Sequence, residues 1–273
     1  MELRPYLKKR QLLVNKALKT FLPPPGSFPR TIHRAMRYSV LGEGKRIRPI
    51  LALAACEAVG GKVTQALPAA CALELIHAYS LVHDDLPAMD DDDFRRGRPS
   101  CHKQFGEAIG ILTGDALLTY SFELLSRAKL PPLVSLKVVQ EVTRAIGTKG
   151  MIGGQVLDIA STNGHLNPGR MEAINTRKTG ALLGACVRVG ALLGGASPRE
   201  YRLLSQYAKH VGLVFQLVDD LLDEDGSVRL LGAKAVRKRA IRLTRQAIAQ
   251  LAPLGKGAEP LKGLARFILT RET

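Results

Sequence analysis

Six of the nine aspartates in two short runs are the residues best able to do chemistry. The first run, His83-Asp-Asp-Leu-Pro-Ala-Met-Asp-Asp-Asp-Asp93, contains Asp84, Asp85 and Asp90. The second, Phe215-Gln-Leu-Val-Asp-Asp-Leu-Leu-Asp223, contains Asp219, Asp220 and Asp223. Carboxylates gathered on apolar segments repel one another and resist desolvation, so they need cations to hold them. Hard divalent ions suit that role, and magnesium takes few protein ligands, completing its shell with water and phosphate oxygens. Two opposed acidic clusters therefore predict a magnesium cage for a diphosphate.

An anion held that way needs positive charge beside the metals. Gly44-Lys-Arg-Ile-Arg-Pro49 and Arg95-Arg-Gly-Arg-Pro99 each press cations against glycine and proline, making short stiff loops suited to clamping phosphate. Lys178-Thr179-Gly180 adds a third cation with a hydroxyl donor. Each motif alone reads equally well as a surface loop; together they point to an anion site.

Helices must carry these groups. Ala and Leu are abundant and nearly every segment repeats with a helical period, whereas alternating strand patterns are scarce. At about 100° per residue, Glu74, His77, Ser80 or Leu81, and Asp84 share one face. That polar stripe runs down an apolar helix to the Asp84-Asp85 pair. On a continuous helix Asp84 and Asp90 would diverge by about 120°. Pro87 disfavours helical geometry at Leu86 and removes a donor, so the helix is predicted to end there and return Asp90 to Asp84. Gln216, Asp219, Asp220 and Asp223 lie at i, i+3, i+4 and i+7 and share a face with no break. Turn formers place breaks at Pro23 to Ser27, Gly60-Gly61, Asp90 to Ser100, Lys129 to Pro132, Ser161 to Pro168, Gly194 to Pro198 and Asp225-Gly226. No linker or internal repeat divides the chain, so the expectation is one all-α domain over residues 1–273 with a central cavity.

The 273 residues are 46% hydrophobic and 23% charged, which excludes a disordered chain and allows a sizeable core. Cys56, Cys71, Cys101 and Cys186 show no zinc-site spacing and read as ordinary thiols. With no secretory apolar region after Met1, the expected location is the cytoplasm. The longest apolar run, Gly180 to Ala196, holds Arg188 and several glycines and is read as a packed helix, so no membrane span is expected. A net charge of +16 attracts polyanions. The densest basic stretch, Lys234 to Arg245, keeps Val236, Ala240, Leu243 and Ala247 near one face, as a solvated amphipathic helix does. Aromatics at 5% and the lack of Trp argue against base-stacking platforms, so no nucleic-acid partner is expected.

The residues His83 to Ser100, together with Gly44-Lys-Arg-Ile-Arg-Pro49, Lys178-Thr179 and Phe215 to Asp223, closely resemble the trans-isoprenyl diphosphate synthases. The resemblance covers about residues 30 to 225, and the Asp-Asp-Leu-Pro-Ala-Met-Asp form preceded by Tyr79-Ser80 is most similar to bacterial farnesyl diphosphate synthases. It implies an isoprenoid-synthase-type helical bundle around a deep cavity, usually as a homodimer. It also implies a head-to-tail 1'-4 condensation of isopentenyl diphosphate with dimethylallyl or geranyl diphosphate. Three Mg2+ ions would be held by Asp84, Asp90 and Asp219, with Asp85, Asp220 and Asp223 as ligands or close support. Arg95, Lys178, Thr179 and Gln216 would contact the allylic diphosphate, and Lys45, Arg48, His77 and Arg96 the isopentenyl diphosphate. Tyr79 and Ser80 would limit chain length. Farnesyl is the expected product, with geranyl or geranylgeranyl as alternatives.

One departure is plain. The family's lysine-bearing loop and Lys-(Ser/Thr)-Tyr-Pro element, which close over the allylic diphosphate, have no counterpart after Asp223. Glu224-Asp-Gly-Ser-Val-Arg229 runs straight into the basic helix. Either that segment is missing from this sequence or the protein lacks it, and the latter suggests a non-catalytic regulatory subunit. Position 175 is Asn where relatives often have His. A class I terpene cyclase would leave Lys45, Arg48 and Arg96 without a role, and a nucleic-acid binder would leave the aspartates without one.

Overall fold

Helix-forming residues with an apolar stripe bury that stripe against a neighbour, and this chain does so along almost its whole length. The computed structural model describes residues 2–128, 130–161, 168–224 and 226–271. The expected breaks at Lys129 to Pro132, Ser161 to Pro168 and Asp225-Gly226 lie partly outside these residues.

The chain divides into two compact units. Residues 4–50 and 67–129 form one. It holds α1 (Leu3–Phe21), α2 (Arg30–Val40), the start of α3 (Ile47–Ala58) and most of α4 (Val63–Asp84). Two-residue strands β1 (Phe94–Arg95) and β2 (Arg98–Pro99) follow, then α5 (Cys101–Phe105) and α6 (Glu107–Ser126). Helices α2, α5 and α6 pack on one another. The core of this unit is built from Val14, Leu18, Met36, Leu73, Ile76, Leu117 and Leu124, all nearly fully buried.

The second unit holds the rest of α3 and the start of α4, followed by α7 (Pro132–Ile146), α8 (Met151–Ile159) and α9 (Pro168–Asn175). A π-helical turn over Thr176–Gly180 leads into α10 (Ala181–Leu193), α11 (Pro198–Leu222), α12 (Ser227–Leu231) and α13 (Ala233–Gln250). A 3-10 segment, Ala252–Ala258, precedes α14 (Glu259–Thr270). Helix α11 runs against α10 and α13. Its start follows from local chemistry: Pro198 sits at the first turn, the Ser197 hydroxyl accepts from the Glu200 amide, and the Glu200 carboxylate accepts from the Ser197 amide. The basic helix α13 buries Val236, Ala240, Leu243 and Ala247, the face expected from its period.

The fold is the expected all-α bundle. The small hairpin was not foreseen, because two-residue strands carry no alternation to read. All four cysteines are buried and none is in a disulfide. Helices α4 and α6 are long and apolar enough to cross a membrane by length and composition; most of the α4 stretch is buried inside the protein.

Candidate active site

The first aspartate run closes on itself as the proline predicts. Helix α4 ends at Asp84, and the Asp90 amide donates to the Asp84 carbonyl at 2.9 Å while the Asp91 amide donates to Leu86 at 3.2 Å. Backbone bonds therefore fix the loop that carries Asp90. The hairpin pairs Phe94 with Pro99 and Arg95 with Arg98. Its two turn residues, Arg96 and Gly97, both have positive φ, 54° and 72°. That is the primed geometry whose twist suits a two-residue hairpin. It presents three arginines from one rigid turn.

Arg95 binds Asp85 through Nε at 2.9 Å and through Nη2, which also donates to Asp92 at 2.7 Å. Asp85 is 2% exposed. Burial pushes its carboxyl above the usual carboxylate range against the pull of Arg95, and the Asp85 hydrogen bond in turn raises the Arg95 guanidinium. Arg95 and Asp85 thus form one tightly coupled unit at the end of α4.

A cavity lies beside that pair, lined by Arg46, His77, Arg95, Arg96 and Arg98 together with Glu74 and Asp85. Arg46 is buried and donates to Glu74 at 2.7 Å, to Asn15, and to the carbonyls of Val40 and Gly42. Arg96 donates to the Glu43 carbonyl at 2.6 Å. A Cβ at Gly44 would lie 2.7 Å from the Arg96 guanidinium, so a side chain there would push that group aside. Arg98 stacks on the Tyr38 ring at 4.1 Å, and the Tyr38 hydroxyl donates to the Pro99 carbonyl. Burial, then the charges of Arg48, Arg96, Arg46 and Arg95, hold the His77 imidazole well below its ordinary value. It is therefore a neutral donor or acceptor among arginines. Of the residues expected to hold isopentenyl diphosphate, His77 and Arg96 line this cavity. Arg48 acts on it through its field on His77, and Lys45 is exposed and outside its lining.

The second run sits on α11 as expected, yet its members differ. Asp220 is 6% exposed and accepts from Gln216 Nε2 and from the Ser227 amide, both at 2.9 Å. Gly226 makes this possible, since a Cβ there would lie 2.9 Å from the Asp220 carboxyl. Gln216, expected at the allylic diphosphate, is thus bonded to Asp220. Asp219 is paired with Arg271, which also donates to the Phe215 carbonyl. Asp223 caps the helix and is exposed.

Lys178 belongs to the π-helical turn and donates to Asp158 at 2.7 Å. Gly154 lets α8 come this close: a Cβ there would lie 2.3 Å from the Lys178 amide nitrogen. Thr179 is half-buried one residue on. Tyr79, one helical turn before His83, is 6% exposed, meets His83 edge to face at 5.9 Å, and has its phenol pushed up to about 12 by burial and the Asp84 charge. Ser80 donates to the His77 carbonyl.

Each run by itself offers oxygens of the kind a hard cation takes: Asp84 and Asp90 in the first, and Asp219 and Asp223 in the second, have carboxylates at least partly open to solvent. Among the described residues, a further group of close-set ligand atoms is Asp91, Asp93 and His102, within 4.8 Å of one another. The Asp93 carboxylate is already paired with Lys103 at 2.7 Å.

Sequence reasoning took Arg46 and Arg98 only as members of the two clamp motifs, with no role of their own, and missed Asp158 and Arg271. Glu74 on an apolar face was the signal for a buried cation, and the adjacent Gly153-Gly154 inside a helix was the signal for a close backbone neighbour. Arg271 had none, lying 52 residues from Asp219 in the chain.

The polyprenyl synthetase family model matches residues 29–237. A heterodimeric geranylgeranyl pyrophosphate synthase large subunit from Arabidopsis thaliana is 48% identical over 84% of this chain and 63% of its own length. The chain thus spans less than two thirds of that relative. A dimethylallyltranstransferase from Fischerella ambigua is 42% identical over 97% of this chain and 83% of its own. The apo crystal structure of an FPP/GFPP synthase from Zymomonas mobilis superposes with a TM-score of 0.93 at 38% identity, over 98% of this chain and 99% of that one. The chain belongs to the polyprenyl synthetase family, the trans-isoprenyl diphosphate synthases.

Proposed function

We propose that the chain is a magnesium-dependent prenyltransferase that joins isopentenyl diphosphate head-to-tail to dimethylallyl or geranyl diphosphate and releases farnesyl diphosphate. The observation that carries this reading is the cavity beside Asp85, where four guanidinium groups and a neutral imidazole converge. Such a donor set suits a multiply charged phosphate.

Asp84, Asp90 and Asp219 would hold three Mg2+ ions, with Asp85, Asp220 and Asp223 supporting them. Bound magnesium supplies Lewis-acid stabilisation of the charge on the departing diphosphate. The chain's own groups do the rest. Arg95, Lys178, Thr179 and Gln216 orient the allylic diphosphate, and Arg96 and His77, helped by Lys45 and Arg48, bind the isopentenyl diphosphate. Buried Ala78, Tyr79 and Val82 exclude water from the allylic cation that the isopentenyl double bond attacks. The proton lost afterwards passes to the released diphosphate, so no side-chain base is needed.

Bulky, buried Tyr79 supports a C15 limit. A geranylgeranyl product is the second reading, favoured by the name of the 48% identical Arabidopsis relative. We take residues 1–273 as one functional polyprenyl synthase domain working in the cytoplasm. Ile111 and Leu112, exposed on α6, support pairing with a second copy as a homodimer. Incubating purified protein with Mg2+, isopentenyl diphosphate and geranyl diphosphate should yield farnesyl diphosphate. A cyclised hydrocarbon would make it a cyclase, and absence of turnover would make it a non-catalytic subunit.

A further inference from the structure

We propose that Arg271 is the resident counter-charge of Asp219, the group that a divalent ion must displace before it can use that carboxylate. The inference rests on the metal role given to Asp219 above and adds a regulator to it.

Helix α14 ends at Thr270, and the backbone at Arg271 is extended, with φ −68° and ψ 144°. This turns its side chain back onto α11. The guanidinium pairs with Asp219, donates to the Phe215 carbonyl at 2.9 Å, and lies over the Phe215 ring at 3.7 Å. Its side chain is 10% exposed against 32% for Asp219. Arg271 is therefore seated in the protein, while Asp219 keeps one side toward solvent.

An arginine stays charged at any working pH, so it cannot leave by losing a proton. A divalent ion and a guanidinium drawn to one carboxylate also repel each other, so the two compete for it. The Phe215 carbonyl and ring remain as a seat once Asp219 is taken. Arg271 can thus slide off the carboxylate and keep its positive charge within reach of an incoming diphosphate. Apparent affinity falls by the fraction of time a site is competent, so an Asp219 held nine-tenths of the time weakens metal binding about tenfold.

The test is a titration with Mn2+ alone, reading free ion by electron paramagnetic resonance, on the full chain and on Arg271→Met, Arg271→Lys, Asp219→Asn and Arg271→Met/Asp219→Asn. Arg245→Met, an exposed charge on α13, controls for lost net charge. Circular dichroism checks that each variant is folded. Arg271→Met should bind Mn2+ about tenfold tighter than the wild type, with Arg271→Lys between them and Arg245→Met unchanged. The gain should vanish in the double variant. If Arg271→Met binds no tighter while Asp219→Asn binds more weakly, the counter-charge idea is wrong and the metal role of Asp219 stands. If Asp219→Asn binds as the wild type does, that metal role fails, and the inference fails with it.

Discussion

Replacing Arg46 with Met should be among the most damaging single changes in the protein. The Arg46 and Glu74 side chains are 3% and 5% exposed and meet at 2.7 Å. Removing one partner of a buried pair leaves the other charge stranded at a cost of about 3–5 kcal/mol. Here Asn15 and the carbonyls of Val40 and Gly42 lose a donor as well, which places the loss toward the upper end. For a chain of this size each kcal/mol lowers the thermal midpoint by about 2–4 °C, so a fall of roughly 10 °C or more is expected. The double variant Arg46→Met/Glu74→Leu removes both charges and should recover most of that, because a well-packed apolar pair is often as stable as the ion pair. Scanning calorimetry on both variants is the assay. The recovered double variant should still show a raised KM for isopentenyl diphosphate, since the cavity has lost one of its guanidinium groups. A single variant within about 1 kcal/mol of wild type, or a double variant no better than the single, would refute the reasoning.

Tyr79→Ala removes a buried ring beside the polar stripe and should lengthen the prenyl product beyond C15; unchanged chain length by product chromatography rejects Tyr79 as the limiter. His77 takes up a proton less readily in the folded protein than in the unfolded chain. Below its ordinary value near 6.5 the unfolded chain therefore binds more protons, and stability drops as the pH is lowered, by at most about 1.4 kcal/mol per unit. His77→Gln lacks this term, so the difference in midpoint between wild type and variant should shrink from pH 7.5 to 5.5; a constant difference contradicts the assignment. Gly154→Ala puts a methyl 2.3 Å from the Lys178 backbone nitrogen and should cost about 1–3 kcal/mol while moving Lys178. Its KM for the allylic diphosphate should rise more than that for isopentenyl diphosphate, and equal changes in the two would argue against Lys178 as an allylic contact.

What could be read from the sequence was local. The i, i+3, i+4, i+7 spacing placed Gln216, Asp219, Asp220 and Asp223 on one helix, and Pro87 announced the return of Asp90 to Asp84. The buried face of α13 followed from its period. What escaped depends on partners distant in the chain: Arg46 with Glu74 is 28 residues apart, Lys178 with Asp158 is 20, and Arg271 with Asp219 is 52. No helical period records such pairings. The division into two compact units was equally silent, because α3 and α4 run through two of its boundaries without a change in composition. Spacing likewise treated Asp219 and Asp220 as equals, whereas one meets a guanidinium and the other a backbone amide.

That amide has an engineering consequence. Ser227 N–H fixes Asp220 only because Gly226 delivers the chain there at φ 53°, with no room for a methyl. A peptide spliced between Gly226 and Ser227 would pull this tether away and hand Asp220 back to solvent. The junction is therefore a natural graft point, where an insert would act on Asp220 alone among the carboxylates of α11.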